Sequence, residues 1–203
     1  MRLIEKSLLQ SAWDFVGLPF RLLLFDQKWL PYFGWNTLEE ERLNTVFPYI
    51  RGRLLDIGCG PNTLVKRYGN GVGVDVYNFG GGGLVVKDSS RLPFAAQTFD
   101  TITFLASLNH IPKRKAVLNE AKRLIAVDGH LLITMINPVL GGMGHTLWWY
   151  GEDKQRGGMK EGEVGGIWKR EIIQICEAEG FQLEIHRTFV YGMNNLYIFE
   201  VAK

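Results

Sequence analysis

The chemistry of this chain concentrates on two carboxylates and a glycine turn. In Leu55-Asp56-Ile57-Gly58-Cys59-Gly60-Pro61-Asn62 a short apolar run stops at glycine, and Asp75 follows Asp56 by 19 residues, at the end of the next apolar run, GVGVD. A turn built on glycine lets a ligand lie against bare backbone. An acid at the end of the following strand can accept from the two adjacent hydroxyls of a ribose. The pattern is G-x-G-x-x-T, with Thr63 where a dinucleotide site places its third glycine, and GCGPNTLVK lacks the G-K-[ST] of a phosphate loop. Asp56 stands two residues before the first glycine, where it would repel a pyrophosphate and attract an ammonium or sulfonium. These residues favour a nucleoside that is cationic beside the glycines.

Proton chemistry has two candidates. His110 follows the apolar run TITFLA, and an imidazole with an ordinary pKa near 6.5 suits proton removal at neutral pH. His145, in GMGHTLWWY, is the second, whereas His130 and His186 lie on strand-like runs and read as structural. The four histidines share no metal-ligand spacing, and Cys59 and Cys176 form no C-x-x-C pair, so no metal and no disulfide is expected. Cys59 sits beside the glycine turn but reads as a small buried hydrophobe rather than a nucleophile.

The elements that must hold these groups alternate strand with helix. Strands are expected at 54–57, 71–75, 84–88, 101–106 and 130–136. A helix after Pro112 carries Val117, Ala121, Leu124 and Ile125 on one face and closes at Asp128-Gly129, and another spans Trp168–Glu179 before Gly180. QLEIHRTFV and LYIFEVA alternate as antiparallel strands do. The pattern implies an α/β domain with a mostly parallel sheet covered on both faces. Upstream, residues 3–16 show a helical apolar spacing, and Thr37-Leu-Glu-Glu40 is a capping box that opens a helix ended by Pro48. Nine glycines fall in the stretch 141–166, which has no clear periodicity and reads as a long mobile insertion.

Residues 54–136 resemble the class I S-adenosylmethionine (SAM)-dependent methyltransferases, in particular the type 11 group related to quinone-biosynthesis enzymes. LLDIGCGPN is similar to the first motif of that family, GVGVD to the second, and KDSSRLPFAAQTFD to the third. TFLASLNHIPKRKAVLNEAKRLIAVDGHLLIT is similar to the segment that lines the methionine side of the cofactor. The resemblance implies a Rossmann-like sheet of about seven strands with an antiparallel C-terminal pair, and SAM as cofactor. It implies Asp56 on the methionine ammonium, Asp75 on the ribose and Asp88 with Ser89 at the adenine. Gly58, Cys59, Gly60, Val76 and Leu105 complete the cofactor site. Two features depart from the family: Asn62 replaces the third glycine of the first motif, and with only 12 residues between Asp75 and Asp88 the usual helix is expected to be truncated or missing. A cofactor-fold scaffold without activity and a nicotinamide-dependent oxidoreductase are the alternative readings.

Composition limits the partners. Among 203 residues, 23 Lys+Arg face 21 Asp+Glu, a net charge of +2 that offers no basic stripe for nucleic acid. The apolar share of 46% and charged share of 22% are those of a globular protein, expected here in the cytoplasm. Residues 1–50 are expected to form a helical cap on a methyltransferase domain at 51–203, with 141–166 as a lid over the acceptor, a small or lipid-linked molecule. Trp13, Phe15, Phe20, Trp29, Tyr32, Phe33 and Trp35, interspersed with Arg21 and Lys28, suit peripheral contact with a membrane through residues 13–35, although aromatics pack into cores as readily.

Overall fold

In the computed structural model, residues 6–21, 26–146 and 157–202 are described, with the backbone alone for 143–146. Seven strands form one sheet: β1 (Leu54–Ile57), β2 (Gly71–Asp75), β3 (Leu84–Val85), β4 (Phe99–Leu105), β5 (Ile125–Ile136), β6 (Phe181–Phe189) and β7 (Asn194–Val201), in the order β3-β2-β1-β4-β5-β7-β6. Strands β1 to β5 pair in parallel, and β7 runs antiparallel to both β5 and β6. The sheet is the expected one, down to its antiparallel C-terminal pair.

Alternate side chains of each strand feed two cores, because successive residues point to opposite faces. Leu55, Ile57, Ile102, Phe104, Leu131 and Ile133 pack beneath α4 (Arg114–Leu124) and α6 (Lys169–Ala178). Leu54, Leu132, Leu196 and Ile198 pack beneath α2 (Leu38–Val46) and α3 (Thr63–Tyr68). Burial on both faces is why these strands are continuously apolar. Thr37 caps α2 as expected, its hydroxyl accepting from the Glu40 N–H at 3.1 Å.

Several expectations need correction. The helix after Pro112 ends at Leu124; Ile125 is extended and pairs with Phe99, so β5 starts there and runs through Asp128-Gly129. Of LVVKD only Leu84–Val85 is paired, and no helix joins β2 to β3. The insertion is not irregular throughout: α5 (Pro138–Thr146) occupies its start, with Asn137 Oδ1 accepting from the Val139 N–H at 2.9 Å. Residues 157–166 dock on the turn after β4, through Val164 N–H to the Asn109 carbonyl at 3.0 Å and Arg114 to the Gly162 carbonyl at 2.9 Å. Trp148, Trp149 and Tyr150, on which the lid expectation rests, lie outside the described residues.

The N-terminal helix α1 (Leu8–Val16) inverts the ordinary arrangement. Asp14, which the helical spacing would put in solvent, is 0% exposed, while Leu8 and Leu9 are 89% and 85% exposed. Asp14 and the fully buried Arg21 join Lys6 and Glu41 in one ionic cluster: Lys6 to Asp14 at 2.7 Å, Arg21 to Glu41 at 2.9 Å, and Lys6 to Glu41. Burial of such groups is tolerated only when they are paired. Among the described aromatics of residues 13–35, Trp35 is buried, with the Phe20 and Phe33 rings stacked on it, whereas Trp13, Phe15, Trp29, Tyr32 and Phe33 each keep about half or more of their surface exposed. Residues 22–25 lie outside the described residues. Beside α1 stands the β6–β7 turn, at the C-terminal edge of the parallel strands, where the Tyr191 ring meets Phe15 edge-on at 5.1 Å.

Candidate active site

At that same edge lies a cavity of about 390 Å³, within the size range of small-molecule sites. It is lined by Asp56, Gly58, Cys59, Gly60, Asp75, Val76, Asp88, Ser89, Leu105 and His110, so every cofactor-site residue expected from sequence, with His110, comes to one place. His145 lies on α5, but its side chain is outside the described residues.

The turn after β1 needs its glycines. Gly58 has φ +75° and a Cβ there would come 2.5 Å from that of Ser107; Gly60 has φ +51°. Asn62, in place of the family's glycine, also takes a left-handed conformation at φ 61°, which Asn tolerates better than most residues.

Asp56 lies opposite Thr103 in the β1–β4 register, and the Thr103 hydroxyl donates to its Oδ1 at 2.7 Å. Burial pushes the carboxyl up to about 7, the nearby Asp75 charge adds to this, and the Thr103 hydrogen bond opposes it. A cationic group beside Asp56 would restore its charge. Asp75 receives the Gly60 N–H on Oδ2 and the Tyr77 N–H on Oδ1, each at 2.9 Å, so two backbone bonds fix its plane and spare lone pairs stay open to hydroxyls. Asp88 takes both the N–H and hydroxyl of Ser90 on Oδ1, which hold it below the ordinary carboxylate range; it is a turn former that also lines the cavity. The Cys59 thiol is pushed up to about 12, first by burial and then by the Asp56 and Asp75 charges, which removes it as a nucleophile.

His110 ends a short turn, Leu108–His110, after β4. Its Nδ1 stands 3.1 Å from Oε2 of Glu163, and its Nε2 stands 3.1 Å from the Asn109 Nδ2. Glu163 escaped sequence reasoning, as did Glu39, Arg42 and Leu43, which bring α2 to the cavity wall. The capping box locates α2 but does not say which end of the sheet it covers. Among the described residues, no group of three or more His, Cys, Asp or Glu converges as metal ligands.

A glycine turn at a strand end, a buried acid two residues before it and a second acid closing the next strand fit SAM. Asp56 suits its ammonium, Asp75 its ribose, and the bare Gly58–Gly60 backbone its close approach. Fold and site together define a class I SAM-dependent methyltransferase. The methyltransferase domain model matches residues 35–184, and the chain belongs to that family. A SAM-dependent methyltransferase of Thermotoga maritima, described as a possible histamine N-methyltransferase, superposes with a TM-score of 0.62 at 14% identity, over 95% of this chain and 99% of that one. A TehB-like SAM-dependent methyltransferase of Corynebacterium glutamicum gives 0.57 at 15% identity, over 94% and 98%. At such identities these likenesses establish the fold. An uncharacterized protein of Methanocaldococcus jannaschii, MJ1252, is 34% identical over 93 residues, 41% of this chain, and the chain spans 37% of that protein's length.

Proposed function

We propose that this enzyme methylates a small, lipophilic acceptor taken from an apolar surface such as a membrane, and that it works in the cytoplasm. The observation that carries the reading is the cap: its α2 walls the cofactor cavity, while its α1 presents Leu8, Leu9, Phe15 and Val16 outward, joined by Trp29, the 81%-exposed Tyr32 and Phe33. An exposed apolar group of this extent marks an interaction site rather than ordinary surface. Outward aromatics suit a lipid interface. Among the described residues no helix is long and apolar enough to cross a membrane, so the contact would be peripheral.

Bound SAM supplies a methyl already activated by its sulfonium. The chain's part is then alignment and exclusion of water: the Asp56 and Asp75 carboxylates anchor the methionine ammonium and the ribose of the cofactor, and the cavity wall at Leu43 holds the acceptor in line. Calorimetry should show SAM and S-adenosylhomocysteine binding and NAD(H) failing to bind. Sedimentation with phosphatidylcholine–phosphatidylglycerol vesicles should pellet the full chain but not a Leu8→Glu/Phe15→Glu variant. Equal partitioning of both proteins into the supernatant would remove the lipid surface from the reading.

A further inference from the structure

We propose that Glu163 is a positioning residue that makes His110 the proton acceptor for a hydroxyl-bearing acceptor, a phenol or an enol. The inference rests on the methyl-transfer reading and adds the chemical class of the acceptor to it. An amide N–H can only donate, so the Asn109 Nδ2 at 3.1 Å makes the His110 Nε2 the lone-pair nitrogen. Nδ1 then carries the hydrogen and donates it to Glu163 Oε2 at 3.1 Å. The Glu163 side chain is only 3% exposed. A carboxylate is costly to bury, and the turn is already closed without it: Val164 N–H donates to the Asn109 carbonyl at 3.0 Å, the Asn109 Nδ2 donates back to the Val164 carbonyl at 3.0 Å, and Arg114 holds the carbonyls of Asn109 at 3.2 Å and Gly162 at 2.9 Å. These bonds deliver Glu163 to one ring nitrogen of a histidine that lines the cofactor cavity. An acid on Nδ1 with Nε2 as the accepting nitrogen is the arrangement that fixes an imidazole as base and stabilises the imidazolium it becomes.

That provision matters for one class of acceptor. Thiols ionise near neutrality, whereas a phenolic hydroxyl, with a pKa of about 10, keeps its proton at pH 7. As the acceptor's O–H bond breaks, its proton passes to Nε2, and the oxygen pair forms the O–CH₃ bond. The S–CH₃ bond breaks with its electrons staying on sulfur, which becomes a neutral thioether. The acceptor hydroxyl takes the place of the Asn109 amide at Nε2, and Asn109 keeps its bond to Val164. The imidazolium, held by Glu163, afterwards releases its proton to water.

The test uses the full chain saturated with S-adenosylhomocysteine and labelled with ¹⁵N-histidine, together with turnover of SAM on phenol and on thiophenol. The wild type should show His110 with its hydrogen on Nδ1. Glu163→Gln should keep that tautomer, since a glutamine oxygen still accepts, and Glu163→Leu should lose it. The phenol-to-thiophenol ratio of kcat should fall about tenfold or more in Glu163→Gln and further in Glu163→Leu. Affinity for S-adenosylhomocysteine should change by less than about twofold, because Glu163 is not among the residues that line the cofactor cavity. A hydrogen on Nε2 in the wild type, a kcat ratio unmoved by both substitutions, or SAM binding with turnover of thiophenol alone or of neither probe would each overturn the proposal. Failure of SAM itself to bind would instead overturn the methyl-transfer reading beneath it.

Discussion

Asp56→Asn tests the electrostatics of the site most directly. The Asp56 carboxyl titrates at about 7 in the folded chain, against an ordinary value of 3.8. Because the folded state holds this proton more tightly than the unfolded chain, stability is lost as pH rises from about 4 to about 7 and is flat beyond. At 1.36 kcal/mol per pKa unit the loss is on the order of 4 kcal/mol. Asparagine never ionises, so urea unfolding should show the variant gaining on the wild type by several kcal/mol between pH 4 and pH 8. Cofactor binding should move the other way. The ammonium requires the ionised carboxylate, so below pH 7 SAM binding must expel a proton, about 0.9 per site at pH 6. Wild-type affinity should accordingly rise about 25-fold from pH 5.5 to 7.5. In Asp56→Asn it should be weaker at pH 7.5 and nearly independent of pH over that range. Calorimetry at pH 6 in two buffers of different ionisation enthalpy reads the proton directly. Equal apparent enthalpies in both buffers, with a flat affinity profile for the wild type, would falsify the assignment of Asp56 to the ammonium.

Asp75→Ala removes a charged acceptor worth roughly 1.5–3 kcal/mol and should weaken SAM about 10- to 100-fold in titration calorimetry, with the fold intact by circular dichroism. Gly58→Ala meets both a φ of +75° and the Ser107 side chain; it should cost at least about 1 kcal/mol in urea unfolding and weaken SAM as well. Arg21→Met leaves the buried Asp14 and the partly buried Glu41 with Lys6 as the one cation of the cluster and should destabilise by about 3 kcal/mol, read as a lower urea midpoint at an unchanged slope.

The centre of the sheet was legible because β1, β4 and most of β5 are buried on both faces, so runs such as LLDI and TITFLA carry their own signal, and the glycine turn with Asp75 reads the same way in sequence and space. Boundaries without a breaker were not: nothing between Leu124 and Ile125 announces that helix becomes strand. Helix α5 was obscured by Gly141, Gly142 and Gly144, which disfavour helix, although Asn137-Pro138 is a start signal that could have revealed it. The inverted cap was hidden for a different reason. An apolar stripe tells that one face of α1 differs from the other, but its inward side is fixed by Lys6, Arg21 and Glu41, charges whose convergence only the fold shows. Glu163 lies 53 residues from His110 in a segment of glycines and charges, and no local pattern joins them.

The bond from the Tyr191 hydroxyl to the Ser11 carbonyl, 2.6 Å long, ties α1 to a turn 180 residues later in the chain. During synthesis at about 5–20 residues per second, some 10–40 s separate the two partners. The ionic cluster can close earlier, since Lys6 and Glu41 are 35 residues apart. The nascent cap can therefore gather its charges inward and turn Leu8, Leu9 and Phe15 outward while the last hairpin is still unmade. Throughout that interval the apolar side of α1 lacks the turn that later meets it at Ser11 and Phe15. The final hairpin is the clasp, and a chain cut short of it keeps the ionic cluster but loses the Tyr191 contacts that tie α1 to the sheet.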